Sequence, residues 1–138
     1  MVYLVDDDID DLELTQEAFE RNGFQGQMVL ATNGEDFFSK LNRSKFPQLI
    51  ILDLNMPLKD GFEVLKELKE SRNFSAVPVV ILTASQNKHD ERKCLDLGCK
   101  LFLQKPSTLE GYDTLVMKIL DLLSNFINKK HSIGKQEG

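Results

Sequence analysis

Three aspartates, Asp6-Asp7-Asp8, close the apolar run from Met1 to Val5. Three later apolar runs also end in polar groups. Asp53 and Asn55 follow Gln48 to Leu52, Thr83 and Ser85 follow Pro78 to Leu82, and Lys105-Pro106 follows Leu101 to Leu103. Carboxylates held together repel, and at neutral pH they retain protons or take up a cation. Oxygen donors with no histidine or cysteine beside them favour magnesium over zinc. A lysine and a hydroxyl are donors suited to phosphoryl oxygens. On one rim, these groups describe a magnesium-dependent site in which one carboxylate accepts a phosphoryl group. Each residue alone has a plainer reading. Acids after strands cap helices, as Asp8 is expected to do, and a lone threonine or lysine at a strand end means little. Their conjunction carries the argument.

A fold must bring these groups together, and the chain reads as five βα units. Strands are expected at Met1 to Val5, Gln27 to Thr32, Gln48 to Leu52, Pro78 to Leu82 and Leu101 to Leu103. Helical patterns lie between them. Ile9 to Asn22 carries Leu12, Thr15 and Phe19 and stops at Gly23. A short helix capped by Asn33 carries Phe37, Phe38 and Leu41. Phe62, Leu65 and Leu68 form a third stripe, and Lys88 to Leu97 a weakly apolar helix ending at Gly98. The last helix runs from Tyr112 through Leu115, Val116, Ile119, Leu122 and Leu123 to Phe126. Continuous apolar strands mark a parallel sheet buried on both faces. The expected fold is therefore α/β, one doubly wound five-stranded parallel sheet with helices on both sides. Ligands in such sheets gather at the carboxyl ends of the strands, where the polar groups stand.

The 138 residues suit one domain, and 41% hydrophobic with 28% charged residues is ordinary globular composition. The net charge of −5 offers no basic face, so nucleic acid is not expected as a partner. No apolar run approaches the roughly 18 residues a membrane span needs. The N-terminus lacks a secretory pattern, and the expected location is the cytoplasm. Two cysteines, Cys94 and Cys99, are too few for a disulfide scaffold. With His89 they match no common zinc spacing, so reduced thiols are expected.

The sequence resembles the receiver domains of bacterial two-component response regulators. The resemblance rests on Leu4-Val5-Asp6-Asp7, Leu52-Asp53-Leu54-Asn55-Met56-Pro57, Asp60-Gly61, Leu82-Thr83-Ala84 and Lys105-Pro106. It spans Met1 to about Asn128, giving a receiver domain over 1–128 and a polar C-terminal tail over 129–138. A finer likeness, carried by Asp6-Asp7-Asp8, Asp11 and Leu14-Thr15-Gln16-Glu17-Ala18, is to small stand-alone regulators, including those paired with bacterial phytochromes.

The resemblance implies a flavodoxin-like (βα)5 fold, with Asp53 as phospho-acceptor. Magnesium would be bound by Asp7, Asp53 and the main-chain carbonyl of Asn55, with Asp6 acting through water. Lys105 would pair with Asp53 and then with the phosphoryl group, and Thr83 would turn its hydroxyl to a phosphoryl oxygen. Phe102 would be the switching aromatic, against its plainer reading as a core residue. Asn55 and Ser85 would tune hydrolysis, and the Lys105–Pro106 bond would be cis. The implied donor is a sensor histidine kinase, of phytochrome type on the finer likeness. The implied protein is a signalling domain that catalyses only its own phosphorylation and slow dephosphorylation, not an enzyme in the usual sense.

Two rival classes share parts of this pattern. A haloacid-dehalogenase-type phosphatase needs a second aspartate two residues past the nucleophile, where this chain has Asn55. A flavodoxin places a phosphate loop after strand 1, where three aspartates would repel a phosphate. No output domain is read from the sequence, so signalling is expected through protein contacts of the helix 4–strand 5–helix 5 face. Met117, Leu120 and Ile127 lie outside the main stripe of helix 5, and a homodimer through that face is an expectation. Against it stands a helix 5 with a broad core face.

Overall fold

The computed structural model describes the backbone of residues 1–137 and the side chains of residues 1–125. The elements alternate as β1 (Val2–Val5), α1 (Ile9–Arg21), β2 (Met28–Ala31), α2 (Gly34–Lys40), β3 (Leu49–Leu52), α3 (Gly61–Glu70), β4 (Val79–Thr83), α4 (Lys88–Asp96), β5 (Leu101–Gln104) and α5 (Leu109–Glu137). The strands form one sheet in the order β2-β1-β3-β4-β5, and every neighbouring pair is parallel. This is the flavodoxin-like (βα)5 arrangement expected from the sequence.

Period-2 alternation divides each strand between two cores. Tyr3, Val5, Ile50, Leu52, Val79 and Ile81 face one side and pack with Phe37, Leu65, Leu68 and Cys94 from α2, α3 and α4. Val2, Leu4, Leu49, Ile51, Val80 and Leu82 face the other, against Leu12 and Phe19 of α1 and Tyr112, Val116 and Ile119 of α5. Full burial of one such side chain stabilises the fold by about 1.5–3 kcal/mol. The apolar runs are continuous because both faces are covered. The edge strand β5 is only half-buried, in keeping with its shorter apolar run.

Helix starts are fixed by side-chain caps. The Asp8 carboxylate accepts from the amides of Asp10 and Asp11, as expected, and Asn33, Asp60 and Asn87 cap α2, α3 and α4 in the same way. Each cap occupies amides that the helix leaves without partners. α1 and α5 lie side by side, joined at the surface by Arg21, whose guanidinium reaches Asp113 at 2.7 Å.

Two expectations change. The Lys105–Pro106 bond is not cis: no cis peptide bond occurs among the described residues. Trans is the lower-energy form even before proline, by about 0.5–1 kcal/mol. α5 also continues to Glu137, through the stretch expected as a polar tail. The side chains of Phe126 and Ile127 lie outside the described residues. Among the described residues, no helix is long and apolar enough to cross a membrane.

Candidate phospho-acceptor site

The register of the sheet builds the site. Val5 pairs with Leu52, so Asp6 and Asp53 leave adjacent strands at the same level. The Asp53 amide donates to the Val5 carbonyl at 2.9 Å, which holds its backbone to β1. Leu52 pairs with Ile81 and Ile81 with Phe102, which carries the row on to Thr83 and Lys105 at the ends of β4 and β5. The Lys105 amide donates to the Thr83 carbonyl at 2.8 Å, fixing the base of the lysine.

Carboxylate oxygens of Asp6, Asp7 and Asp53 lie within 4.8 Å of one another. Asp6 and Asp53 are buried and Asp7 is exposed, so the cluster opens to solvent on the Asp7 side. A cleft of about 400 Å³ adjoins it, lined by Asp7, Leu54, Asn55, Met56, Pro57, Asp60 and Phe62. The donor set fits a hard divalent cation: three oxygens, no nitrogen or sulfur ligand, and an open side where waters can complete an octahedron.

The Lys105 ammonium is the counter-charge. Its Nζ lies 2.7 Å from Asp11 Oδ2, 2.8 Å from Asp6 Oδ2 and 3.2 Å from Asp53 Oδ2. Burial alone would lower the lysine pKa, but hydrogen bonds to Asp11 and Asp6 and the charge of Asp53 outweigh it and raise it. Burial pushes the Asp6 carboxyl up to about 7, with the Asp53 charge adding to the rise. Hydrogen bonds from Lys105 and the Asp8 amide oppose that rise. The buried pair Asp6 and Asp53 is therefore under charge stress that one ammonium only partly relieves.

The loop after β3 is pinned at both ends. The first carboxylate oxygen of Asp53 accepts from the Leu54 amide at 2.8 Å, leaving the second to face Lys105. At the far end the Gly61 amide donates to the Leu54 carbonyl at 2.9 Å, which draws the start of α3 against the acceptor strand.

The remaining expected residues take these places. Thr83 is fully buried, and its hydroxyl accepts from the Ser85 amide at 3.3 Å. Ser85 donates its own hydroxyl to Asp90 at 2.8 Å and so serves the first turn of α4. Asn55 is exposed on the cleft wall. Phe102 is half-buried against the core beneath α2, α3 and α4. On α5, Met117 is exposed, whereas Leu120 packs on the α1–α5 core. His89, Cys94 and Cys99 form no cluster fit for a metal; both thiols are free and buried.

Two residues were not foreseen as part of the site. Asp11 makes the shortest of the Lys105 contacts, and Tyr112 donates its hydroxyl to Asp11 Oδ1 at 3.3 Å. In the sequence Asp11 marks the likeness to small stand-alone regulators without a role in the site, and Tyr112 reads as the first residue of a core stripe. The separation of 94 positions between Asp11 and Lys105 hides their pairing until the sheet order is known.

Acids gathered around one lysine at the carboxyl ends of a doubly wound parallel sheet form a cluster suited to phospho-accepting signalling. The response regulator receiver domain family matches residues 2–116, and the chain belongs to that family. Its members are signalling modules rather than enzymes in the usual sense. The chain is 32% identical over 125 residues to the response regulator Rcp1 of Synechocystis sp., covering 86% of this chain and 85% of that protein. The phosphorylated cyanobacterial phytochrome response regulator RcpA superposes with a TM-score of 0.79 at 32% identity, covering 86% of this chain and 89% of that one. The bacteriophytochrome response regulator AtBRR superposes with a TM-score of 0.68 at 30% identity, covering 85% and 89%. A structure of the Mn(2+)-bound form of Rcp1 gives 0.75 at 32% identity, covering 86% and 89%.

Proposed function

We propose that the protein accepts a phosphoryl group on Asp53 from a phosphohistidine of a sensor kinase, with magnesium bound beside it. One observation carries this reading: Asp53, with 5% of its side chain exposed, ends the central strand and faces both the acid cluster and the Lys105 ammonium. A carboxylate oxygen of Asp53 attacks phosphorus. The P–O bond forms as the P–N bond of the donor breaks, and the bonding pair returns to the imidazole nitrogen. Lys105 offsets the negative charge spread over the equatorial oxygens. A magnesium ion held by Asp7, Asp53 and the Asn55 carbonyl, with Asp6 acting through water, would supply further positive charge there.

Thr83 is the hydroxyl that turns to the new phosphoryl oxygens, and Phe102 the aromatic that responds. Output runs through the face of α4, β5 and α5, where Leu95, Leu109 and Met117 expose large apolar side chains. That exposure also supports a homodimer through this face. Asn55 and Ser85 are the positions that tune hydrolysis. The metal-bound Rcp1 and the phosphorylated RcpA are relatives in which such states have been captured. The phytochrome response regulator RcpA also favours a phytochrome-type kinase as donor. The net charge of −5 favours protein rather than nucleic-acid partners.

The test is incubation with acetyl phosphate and magnesium, read by intact-protein mass. One added phosphoryl group is expected in the parent and none in Asp53→Asn. Equal uptake by the variant would refute the assignment. Mixing with a phosphorylated phytochrome-type kinase domain then tests the donor class.

A further inference from the structure

The Lys105 ammonium stands among three carboxylates: it donates hydrogen bonds to Asp11 and Asp53 and pairs by charge with Asp6 at 2.8 Å. Asp6 and Asp53 belong to the acid cluster, but Asp11 does not: it sits on α1, and its carboxylate is the nearest of the three to Nζ. Both oxygens of Asp11 are engaged. Oδ2 takes the lysine at 2.7 Å, and Oδ1 takes the hydroxyl of Tyr112, which is buried on α5. Lys105 and Asp11 are 12% and 23% exposed, so this contact is only weakly screened by water.

A phosphoryl group on Asp53 changes this arrangement. It brings roughly two negative charges and three acceptor oxygens, placed beyond the carboxylate that now carries it. To follow the phosphoryl oxygens the ammonium must loosen its present contacts, and Asp11 is the one of its three partners that stands outside the metal cluster.

We propose that Asp11 is a positioning residue for the transfer: it holds the Lys105 ammonium against α1 until the arriving phosphoryl group draws it off, and Tyr112 sets the strength of that hold from α5. The inference rests on Asp53 being the acceptor. Asp11 thus opposes the phosphorylated state, because a ligand is bound less tightly when it must displace an existing contact. Tyr112 weakens the opposition by giving the Asp11 carboxylate a second donor. Coupling between sites is reciprocal, so a partner that shifts Tyr112 on α5 alters how readily Lys105 reaches the phosphoryl group.

The test is the affinity of the full chain for beryllofluoride, a phosphoryl analogue, at fixed magnesium. Asp11→Asn should bind it about fivefold more tightly than the parent, the low end of typical couplings. Asp11→Ala should shift in the same direction. Damage to the fold lowers affinity, so a gain has no merely structural explanation. Tyr112→Phe should bind more weakly, because Asp11 then relies on Lys105 alone. In the Asp11→Asn background, Tyr112→Phe should have no further effect, the non-additivity expected of a shared network. Asp10→Asn removes the same charge one residue away and should leave the affinity unchanged. Unaltered or weakened binding in both Asp11 variants, or an equal gain in Asp10→Asn, would overturn the inference. A parent that binds no beryllofluoride would instead remove the reading of Asp53 as acceptor.

Discussion

A side chain on Gly61 would collide with the carbonyl oxygen of Asp53 and lie 2.7 Å from the Cα of Leu54. The glycine allows α3 to begin against the backbone of the strand that presents the acidic side chain. Both neighbouring atoms are main chain and cannot turn aside as a flexible side chain does. Gly61→Ala should therefore destabilise the fold by about 1–3 kcal/mol, the usual range for overpacking. Urea unfolding of parent and variant measures it. Equal midpoints would show that the loop between Asp53 and Gly61 shifts freely.

Magnesium should bind the unphosphorylated protein through the Asp6, Asp7 and Asp53 cluster, retaining several waters on the Asp7 side. An NMR titration should move the amides of these residues and of Leu54 and Asn55. Asp7→Ala, which removes the exposed donor without opening the core, should weaken the response at least tenfold, about 1.4 kcal/mol. Spectra unchanged at millimolar magnesium would exclude the cluster as a metal site.

Thr83→Ala removes a hydroxyl whose partner in this structure is the Ser85 amide. The amide then loses a part-buried 3.3 Å contact, so the stability loss should be about 1 kcal/mol. Phosphorylation of Asp53 should persist, while the change it produces across α4, β5 and α5 should shrink. Sedimentation velocity and amide shifts of that face, with and without beryllofluoride, report both effects. A full response in the variant would remove Thr83 from the relay.

Burial raises the Cys94 thiol to about 12 and the Cys99 thiol to about 11, from an ordinary 9.0. In the unfolded chain the thiols ionise near 9.0; in the folded protein they hold their protons to higher pH. The folded state then binds more protons than the unfolded state, so stability falls as pH rises through that interval. Below pH 9 their contribution is complete; above pH 9 it is progressively lost, up to about 11 for Cys99 and about 12 for Cys94. Urea midpoints from pH 7.5 to 10.5 should show this decline. The double variant Cys94→Ala/Cys99→Ala, less stable at neutral pH, should show a shallower alkaline slope. Equal slopes would disprove the thiol contribution.

Local patterns carried most of the fold. The runs at Leu49 to Leu52 and Val79 to Thr83 announce strands buried on both faces, and Asp8, Asn33 and Asp60 announce helix starts. Residues at strand ends were legible for the same reason: once the sheet is parallel, its carboxyl edge is one place. Asp53 and Lys105 could thus be set on one rim from the sequence, and the family resemblance paired them. Asp11 could not, because its contact depends on how α1 is rotated against β5 and on the long reach of a lysine. Tyr112 was hidden because a buried aromatic body and a hydrogen-bonding tip give the same apolar signal. The geometry of the Lys105–Pro106 bond was also out of reach, since its isomers differ by less energy than one packed side chain contributes. The length of α5 was missed because its polar end lacks the apolar stripe that marks a packed helix.

The sheet order has a consequence for biosynthesis. Asp6, Asp11 and Asp53 all leave the ribosome before Lys105, the nearest of them by 52 residues. A nascent chain that has completed β3 already carries the acids that must lie side by side, but not yet the lysine that lies among them. Until β5 docks on β4 and delivers the ammonium, only a dissolved cation can offset their repulsion.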